Sequence, residues 1–216
     1  MGHYVVVDLE MCKTYPTNAN TQNQFKRELI QIGAVLLDSE YRECGTFDTY
    51  VAPEFGRVDT TISRLTGITL ENTKNAPSAK EVLERFAEWL PDNVELVAWS
   101  QSDEKQLKNE LLRKGLDIPK LTKTFGNWVD CQELFGDKLD TDKQYRLSEA
   151  LSIADIPCED GAHNALVDAK NTARLFAKLQ TEEKLILSPY LIGANSSQGY
   201  SFNPFSPKAR QNISCS

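Results

Sequence analysis

The chain carries only two histidines and two methionines in 216 residues, and its 24 basic residues are outnumbered by 31 acids, a formal charge of −7. That shortage of positive charge excludes a protein that coats nucleic acid through bulk charge alone. It leaves room for an enzyme that holds nucleic acid in a local groove, because acids gathered for metal binding add to the negative total. Cysteine is used without pattern: Cys12, Cys44, Cys131, Cys158 and Cys215 are odd in number and show no C-x-x-C spacing. They read as reduced thiols of a cytoplasmic protein rather than a disulfide framework. No apolar run approaches the roughly 18 residues of a membrane span, so no membrane partner is expected. No repeat or composition break divides the chain, and its length suits one well-buried domain. Only the end differs. Ala194 to Ser216 is rich in Ser, Asn, Gly and Pro, so a folded domain is expected over 1–181 and a C-terminal extension over 182–216. That extension is expected to be partly packed or mobile and could recruit a protein partner.

What is present is a sharp change of character near the start. Tyr4-Val5-Val6-Val7 is uninterrupted and β-prone, and Asp8-Leu9-Glu10 follows at once. Such a run predicts a strand buried on both faces. Side chains alternate across a strand, so Asp8 and Glu10 share one side at its end. Either the strand ends in a solvated turn where acids are tolerated, or the two carboxylates crowd at the rim of a core and require a cation between them.

Met11 to Arg27 is polar and predicts a long loop beside those acids. Glu28 to Asp38 and Thr46 to Val51 predict two more strands, which with the first make an antiparallel meander. Leu65 to Thr69 is loop-like. Ser78 and Glu81 have the spacing of a capping box for a helix whose apolar stripe is Val82, Phe86, Trp89 and Leu90. Val94 to Trp99 is a second buried strand, reached through that helix and so expected to be parallel to the first. Ser102 is placed to cap the next helix. Trp128 to Asp130 predicts a short strand, Leu147 to Ile153 a short helix and Asn164 to Leu179 a long one.

On the helix after Ser102, Asp103, Leu107 and Leu111 fall on one stripe, with Glu104, Lys105 and Lys108 on the other face. An acid in the first turn can simply complement the helix dipole. If the two buried strands are parallel, however, Asp103 approaches Asp8 in the crevice where open α/β sheets bind ligands. On the last helix Asp168 aligns with Thr172, Leu175 and Leu179. His163 lies five residues before it, about 140° away in a regular helix, so the two meet only if His163 stands at the helix entrance. Lys105, Lys108, Arg113, Lys114, Lys120 and Lys123 either approach a nucleic-acid strand or form a solvated face.

Taken in order, V-D-L-E at 7–10, W-S-Q-S-D at 99–103 and H-N-A-L-V-D at 163–168 resemble the three motifs of DEDDh-type 3′→5′ exonucleases. The H-x4-D spacing marks that branch. The similarity runs from Tyr4 to about Leu179 and includes L-I-Q-I-G-A-V, R-L-T-G-I-T and Y-R-L-S-E-A-L-S. Where proofreading relatives carry Thr-Thr-Gly after the Asp-x-Glu, this chain has Met11-Cys12-Lys13, closer to the histone-mRNA and small-RNA branch. The resemblance implies a ribonuclease-H-like α/β fold, a mixed five-stranded sheet with helices on both faces. It further implies two divalent ions, Mg²⁺ or Mn²⁺, held by Asp8, Glu10, Asp103 and Asp168, with His163 as general base. The backbone around Leu9 and Met11 would hold the terminal nucleotide, with Leu9 wedging between bases. The implied substrate is a single-stranded RNA or DNA 3′ end, RNA slightly favoured, and the alternatives are a DNA-trimming enzyme or a binding module without chemistry.

Overall fold

A computed structural model of the chain describes residues 2–15, 26–159, 161 and 163–185. Five strands form one sheet: β1 (His3–Lys13), β2 (Arg27–Leu37), β3 (Glu43–Tyr50), β4 (Val94–Ala98) and β5 (Val129–Asp130), in the order β3-β2-β1-β4-β5. The first three form the expected antiparallel meander, and β4 runs parallel to both β1 and β5. This is the mixed sheet that the motifs implied. One strand boundary needs correction. The first strand does not end at Glu10 but continues to Lys13, because Met11, Cys12 and Lys13 pair with Leu29, Glu28 and Arg27 after a register shift at Glu10/Met11. The polar composition of 11–27 hid that pairing, and most of the remaining loop, 16–25, lies outside the described residues.

Four helices were not foreseen, two ahead of the helix at Ser78 and two after the helix at Ser102. Asp59 caps α1 (Thr60–Thr66) by accepting from the Thr61 and Ile62 amides; Gly67 ends it at φ +71°, and Thr69 caps α2 (Leu70–Lys74). What reads as a loop at Leu65 to Thr69 is therefore the junction of two short helices. The capping box at Ser78 and Glu81 opens α3 (Ala79–Trp89) as expected. Next come α4 (Ser102–Lys114) and a short α5 (Pro119–Thr122). Ser102 is inside α4, not its cap; Gln101 holds the cap position without a side-chain bond. Then follow α6 (Cys131–Lys138), α7 (Leu147–Ile153) and α8 (Ala165–Thr181).

The alternation of β1 divides the core. Val5, Val7 and Leu9 pack with Val82, Leu83 and Phe86 of α3 and Leu107 and Leu111 of α4. Val6 packs on the opposite face with Phe135 of α6, Leu151 of α7 and Phe176 of α8. Burying such side chains stabilises by about 1.5–3 kcal/mol each, so both layers hold the sheet firmly. A small third cluster sets Ile62 and Ile68, around α1 and α2, against Cys12 and Ile30. Leu185, the last described residue, packs on the α8 side; the rest of the expected extension lies outside the described residues.

Candidate active site

The site begins where β4 stops. Its ladder with β1 ends at Val7↔Ala98, so the amide of Leu9, the next residue of β1 facing that edge, has no strand partner. The Asp103 carboxylate takes its place: Oδ1 accepts from Leu9 N at 3.1 Å and Oδ2 from the Ser102 hydroxyl at 3.1 Å. One hydrogen bond therefore fixes the start of α4 against the acid-bearing end of β1, as the parallel arrangement led one to expect.

Asp8 and Glu10 face the other layer, where α8 arrives. Gly33, opposite Asp8 in β2, allows this approach, because a Cβ there would collide with the backbone of Ala165 and Leu166. Gln31, opposite Glu10, is fully buried; its Oε1 accepts from Ala165 N at 3.2 Å, and its Nε2 donates to Asp48 Oδ1 at 2.8 Å. Neither residue was singled out in the sequence. The signal available was a glutamine inside an otherwise apolar run, Leu29 to Leu37.

Asn164 caps α8 by accepting from Val167 N, and His163 stands just outside with φ +66°. The left-handed backbone turns the His163 N–H onto Asp168 Oδ2 at 2.9 Å. Ligand atoms of Glu10, His163 and Asp168 all lie within 4.8 Å of one another. His163 is exposed and Asp8, Glu10 and Asp168 are half-buried, whereas Asp103 is buried. The four acids and the histidine picked out by sequence thus come together around residues 8–10 of β1.

Their electrostatics are unfavourable as they stand. Burial, then Asp103, Asp168 and Glu10, push the Asp8 carboxyl well above the usual carboxylate range. Burial, Asp168 and Asp103 raise Glu10 to about 8. Burial lifts Asp103 to about 6 against its bonds from Ser102 and Leu9, and burial lifts Asp168 against the pull of His163. Carboxylates this close disfavour one another's charge. A hard divalent cation relieves that repulsion and finds the oxygen ligands it prefers, so the donor set fits such an ion.

Three expectations change here. The Leu9 side chain is 4% exposed within the α3–α4 core and cannot wedge between bases from there, since strand alternation turns it away from Asp8 and Glu10. Met11 is partly buried against the same core. Glu104 is not on an outer face: it is buried, accepts from the Gly126 amide and pairs with Lys108 at 2.8 Å. Nor is Lys114 part of a solvated face, for its side chain is 4% exposed and pairs with Glu28 at 2.8 Å.

The family model "Exonuclease" (RNase_T) matches residues 5–176, which include every residue of this cluster. The chain belongs to the exonuclease family. Among relatives in this family, it is 29% identical over 178 residues to DNA polymerase III PolC-type of Caldanaerobacter subterraneus, covering 82% of this chain and 12% of that protein. It is 32% identical over 182 residues to 3'-5' exonuclease DinG of Staphylococcus haemolyticus, covering 82% and 18%. It is 30% identical over 187 residues to ERI1 exoribonuclease 2 of Danio rerio, covering 72% and 32%. The chain therefore spans less than a third of the length of each. Among solved structures, the nuclease domain of 3'hExo, a DEDDh family member bound to rAMP, superposes with a TM-score of 0.68 at 22% identity, covering 86% of this chain and 96% of that one. E. coli exonuclease I in complex with a dT13 oligonucleotide gives 0.63 at 16%, covering 90% and 43%. These likenesses place the fold in the ribonuclease-H-like exonuclease class, and membership of the family implies divalent metal ions. No helix among the described residues is long and apolar enough to cross a membrane.

Proposed function

We propose that the chain is a metal-dependent 3′→5′ exonuclease that releases nucleoside 5′-monophosphates from single-stranded 3′ ends, with RNA preferred. The observation that carries this reading is the convergence of Asp8, Glu10, Asp103 and Asp168 on one point with His163 at its open side. Asp8, Glu10, Asp103 and Asp168 would hold two ions, Mg²⁺ or Mn²⁺. When bound, such ions lower the pKa of water and neutralise charge on a transferring phosphoryl group.

The chain's own residues then have distinct tasks. His163, exposed beside Glu10 and Asp168, takes the proton of the attacking water, a role suited to imidazole near neutral pH. Its main-chain N–H simultaneously holds Asp168 in place. Asp103 fixes the acid-bearing part of β1 through Leu9 N. Water attacks the phosphorus of the last phosphodiester, the bond to the 3′-oxygen of the penultimate nucleotide breaks, that oxygen takes up a proton from solvent, and the products are a nucleoside 5′-monophosphate and a strand one nucleotide shorter.

The preference for RNA is supported by the exoribonuclease relative from Danio rerio and by Met11-Cys12-Lys13 in place of Thr-Thr-Gly. A DNA 3′ end is the second reading, favoured by the DNA polymerase III PolC-type relative. The test uses two 5′-labelled single strands of one sequence, RNA and DNA, with Mn²⁺, Mg²⁺ or EDTA. Stepwise shortening that EDTA abolishes, faster on RNA, is the expected result. Faster shortening of DNA selects the second reading, and no shortening of either strand removes both.

A further inference from the structure

Two elements leave the acid cluster and meet again at the same place. β1 continues from Glu10 to Lys13, with Tyr15 two residues beyond, a span of about 16 Å at a strand's rise per residue. α4 runs from Asp103 to Arg113, about 15 Å at a helix's rise. They are brought together by the segment around Phe55: Tyr15 N donates to Phe55 O at 3.1 Å, Thr14 bridges Gly56, and the Arg113 guanidinium lies 4.0 Å from the centre of the Phe55 ring. Arg57 in turn lies 5.2 Å from the centre of the Tyr15 ring, and Tyr15 is 44% exposed.

Exposed cations lie along this stretch. Lys13, Lys26, Arg27 and Arg57 are all exposed, and Lys13 is the register partner of Arg27. The acids nearby are occupied from within. Glu28 is fully buried and accepts from the amides of Glu54, Phe55 and Gly56 and from Lys114, which also pairs with Glu54 and Glu110. Cations interleaved with an exposed aromatic ring suit a single-stranded nucleic acid, whose phosphates the cations meet and whose bases stack on the ring. A basic partner would be repelled by these cations, and a wholly apolar one would leave them without counter-charges.

We infer that the strip formed by Lys13, Tyr15, Arg27 and Arg57 binds the body of a single-stranded substrate about 15 Å upstream of the acid cluster. The inference rests on the exonuclease reading for the direction of the strand, but the binding itself does not. At about 3.4 Å per stacked nucleotide the span corresponds to about four or five nucleotides. A trinucleotide therefore reaches the acids without touching the strip, whereas a 20-mer engages both.

The test compares wild type with Lys13→Glu/Arg57→Glu and, separately, Tyr15→Ala. Binding of a labelled 20-mer RNA is read by fluorescence anisotropy in EDTA, and turnover of the 20-mer and of its 3′ trinucleotide is read with Mn²⁺. The charge reversals should weaken 20-mer binding by at least about tenfold and lower the salt dependence by about 0.7 per lost phosphate contact. Tyr15→Ala should weaken it by at least about fivefold. kcat/KM on the 20-mer should fall in parallel while that on the trinucleotide stays within about twofold, the substrate too short to feel a remote strip. Equal losses on both substrates, or unchanged 20-mer binding, would overturn the inference. If wild type shortens neither substrate, the exonuclease reading fails, and the anisotropy comparison alone decides the strip.

Discussion

The main-chain N–H of His163 donates to Asp168 Oδ2 at 2.9 Å, although five residues of regular helix would set the two on different sides. The contact exists because His163 stands outside α8 in a left-handed conformation at φ +66°. The bond comes from the backbone, not the imidazole, so the ring is left for chemistry.

His163→Gly and His163→Ala should therefore behave differently in stability but alike in rate. Both remove the proton acceptor and should cost on the order of 10²–10⁴ in kcat. Glycine adopts positive φ at no steric cost and keeps the N–H, so its melting temperature should equal or exceed that of wild type, and the alanine variant should melt lower. A turnover close to wild type in either variant would remove His163 from the role of base.

The acid cluster makes stability depend on pH. The Glu10 carboxyl rises from 4.5 to about 8 on folding, so its protonated form is favoured in the fold. Its contribution is fully present below about pH 4.5 and is lost as pH rises through about 8; Asp8 and Asp168 shift in the same direction. Metal-free protein should lose melting temperature as pH rises from about 4.5 to about 8. Mn²⁺ should raise the melting temperature more at the upper end, releasing protons as it binds. Calorimetry in buffers of different ionisation enthalpy reads the protons directly. A metal-free melting temperature that is no less dependent on pH in Glu10→Gln than in wild type would contradict this account.

Asp103 serves the backbone as well as the cluster. Asp103→Asn keeps an oxygen for the buried Leu9 N–H, whereas Asp103→Ala leaves that donor unpaired. The alanine variant should be less stable than the asparagine variant by about 1–3 kcal/mol, measured by urea unfolding. Neither should turn over substrate at the wild-type rate. Equal stabilities would show that the bond to Leu9 contributes nothing.

Gly33→Ala should destabilise by about 1–3 kcal/mol or more, because the added methyl meets backbone rather than a movable side chain. It should also weaken Mn²⁺ binding, since what moves is the start of α8 and with it Asp168. Gly45→Ala is the control: its methyl meets Leu36 and Trp89 at 3.8–3.9 Å, ordinary contact distances, and Mn²⁺ binding should not change. Loss of metal affinity in the control alone would remove the packing argument.

Much of this was legible before the structure. The doubly buried run ahead of Asp8, the Ser78–Glu81 cap and the Asp103-Leu107-Leu111 stripe depend on neighbours in sequence, and local physics reports them well. The structure departs from the sequence reading where a partner distant in the chain decides. Met11 to Lys13 look like loop until Arg27 to Leu29 pair with them. Lys114 looks like surface charge until Glu28 and Glu110 are found buried with it. Leu9 looks available to substrate until α3 and α4 close over it. The importance of Gln31 and Gly33 is visible only once α8 is known to begin against β2.

The left-handed turn at His163 has one further consequence. Asp8 and Glu10 are carried by a strand laddered to β2 on both sides of them, so moving either means breaking several main-chain bonds at once. His163 is exposed and lies outside α8. The site thus has a floor held by many main-chain bonds and a wall held at His163 by a single bond to Asp168. If His163 is the base of the proposed reaction, a change in that one turn alters turnover while Asp8 and Glu10 stay in place.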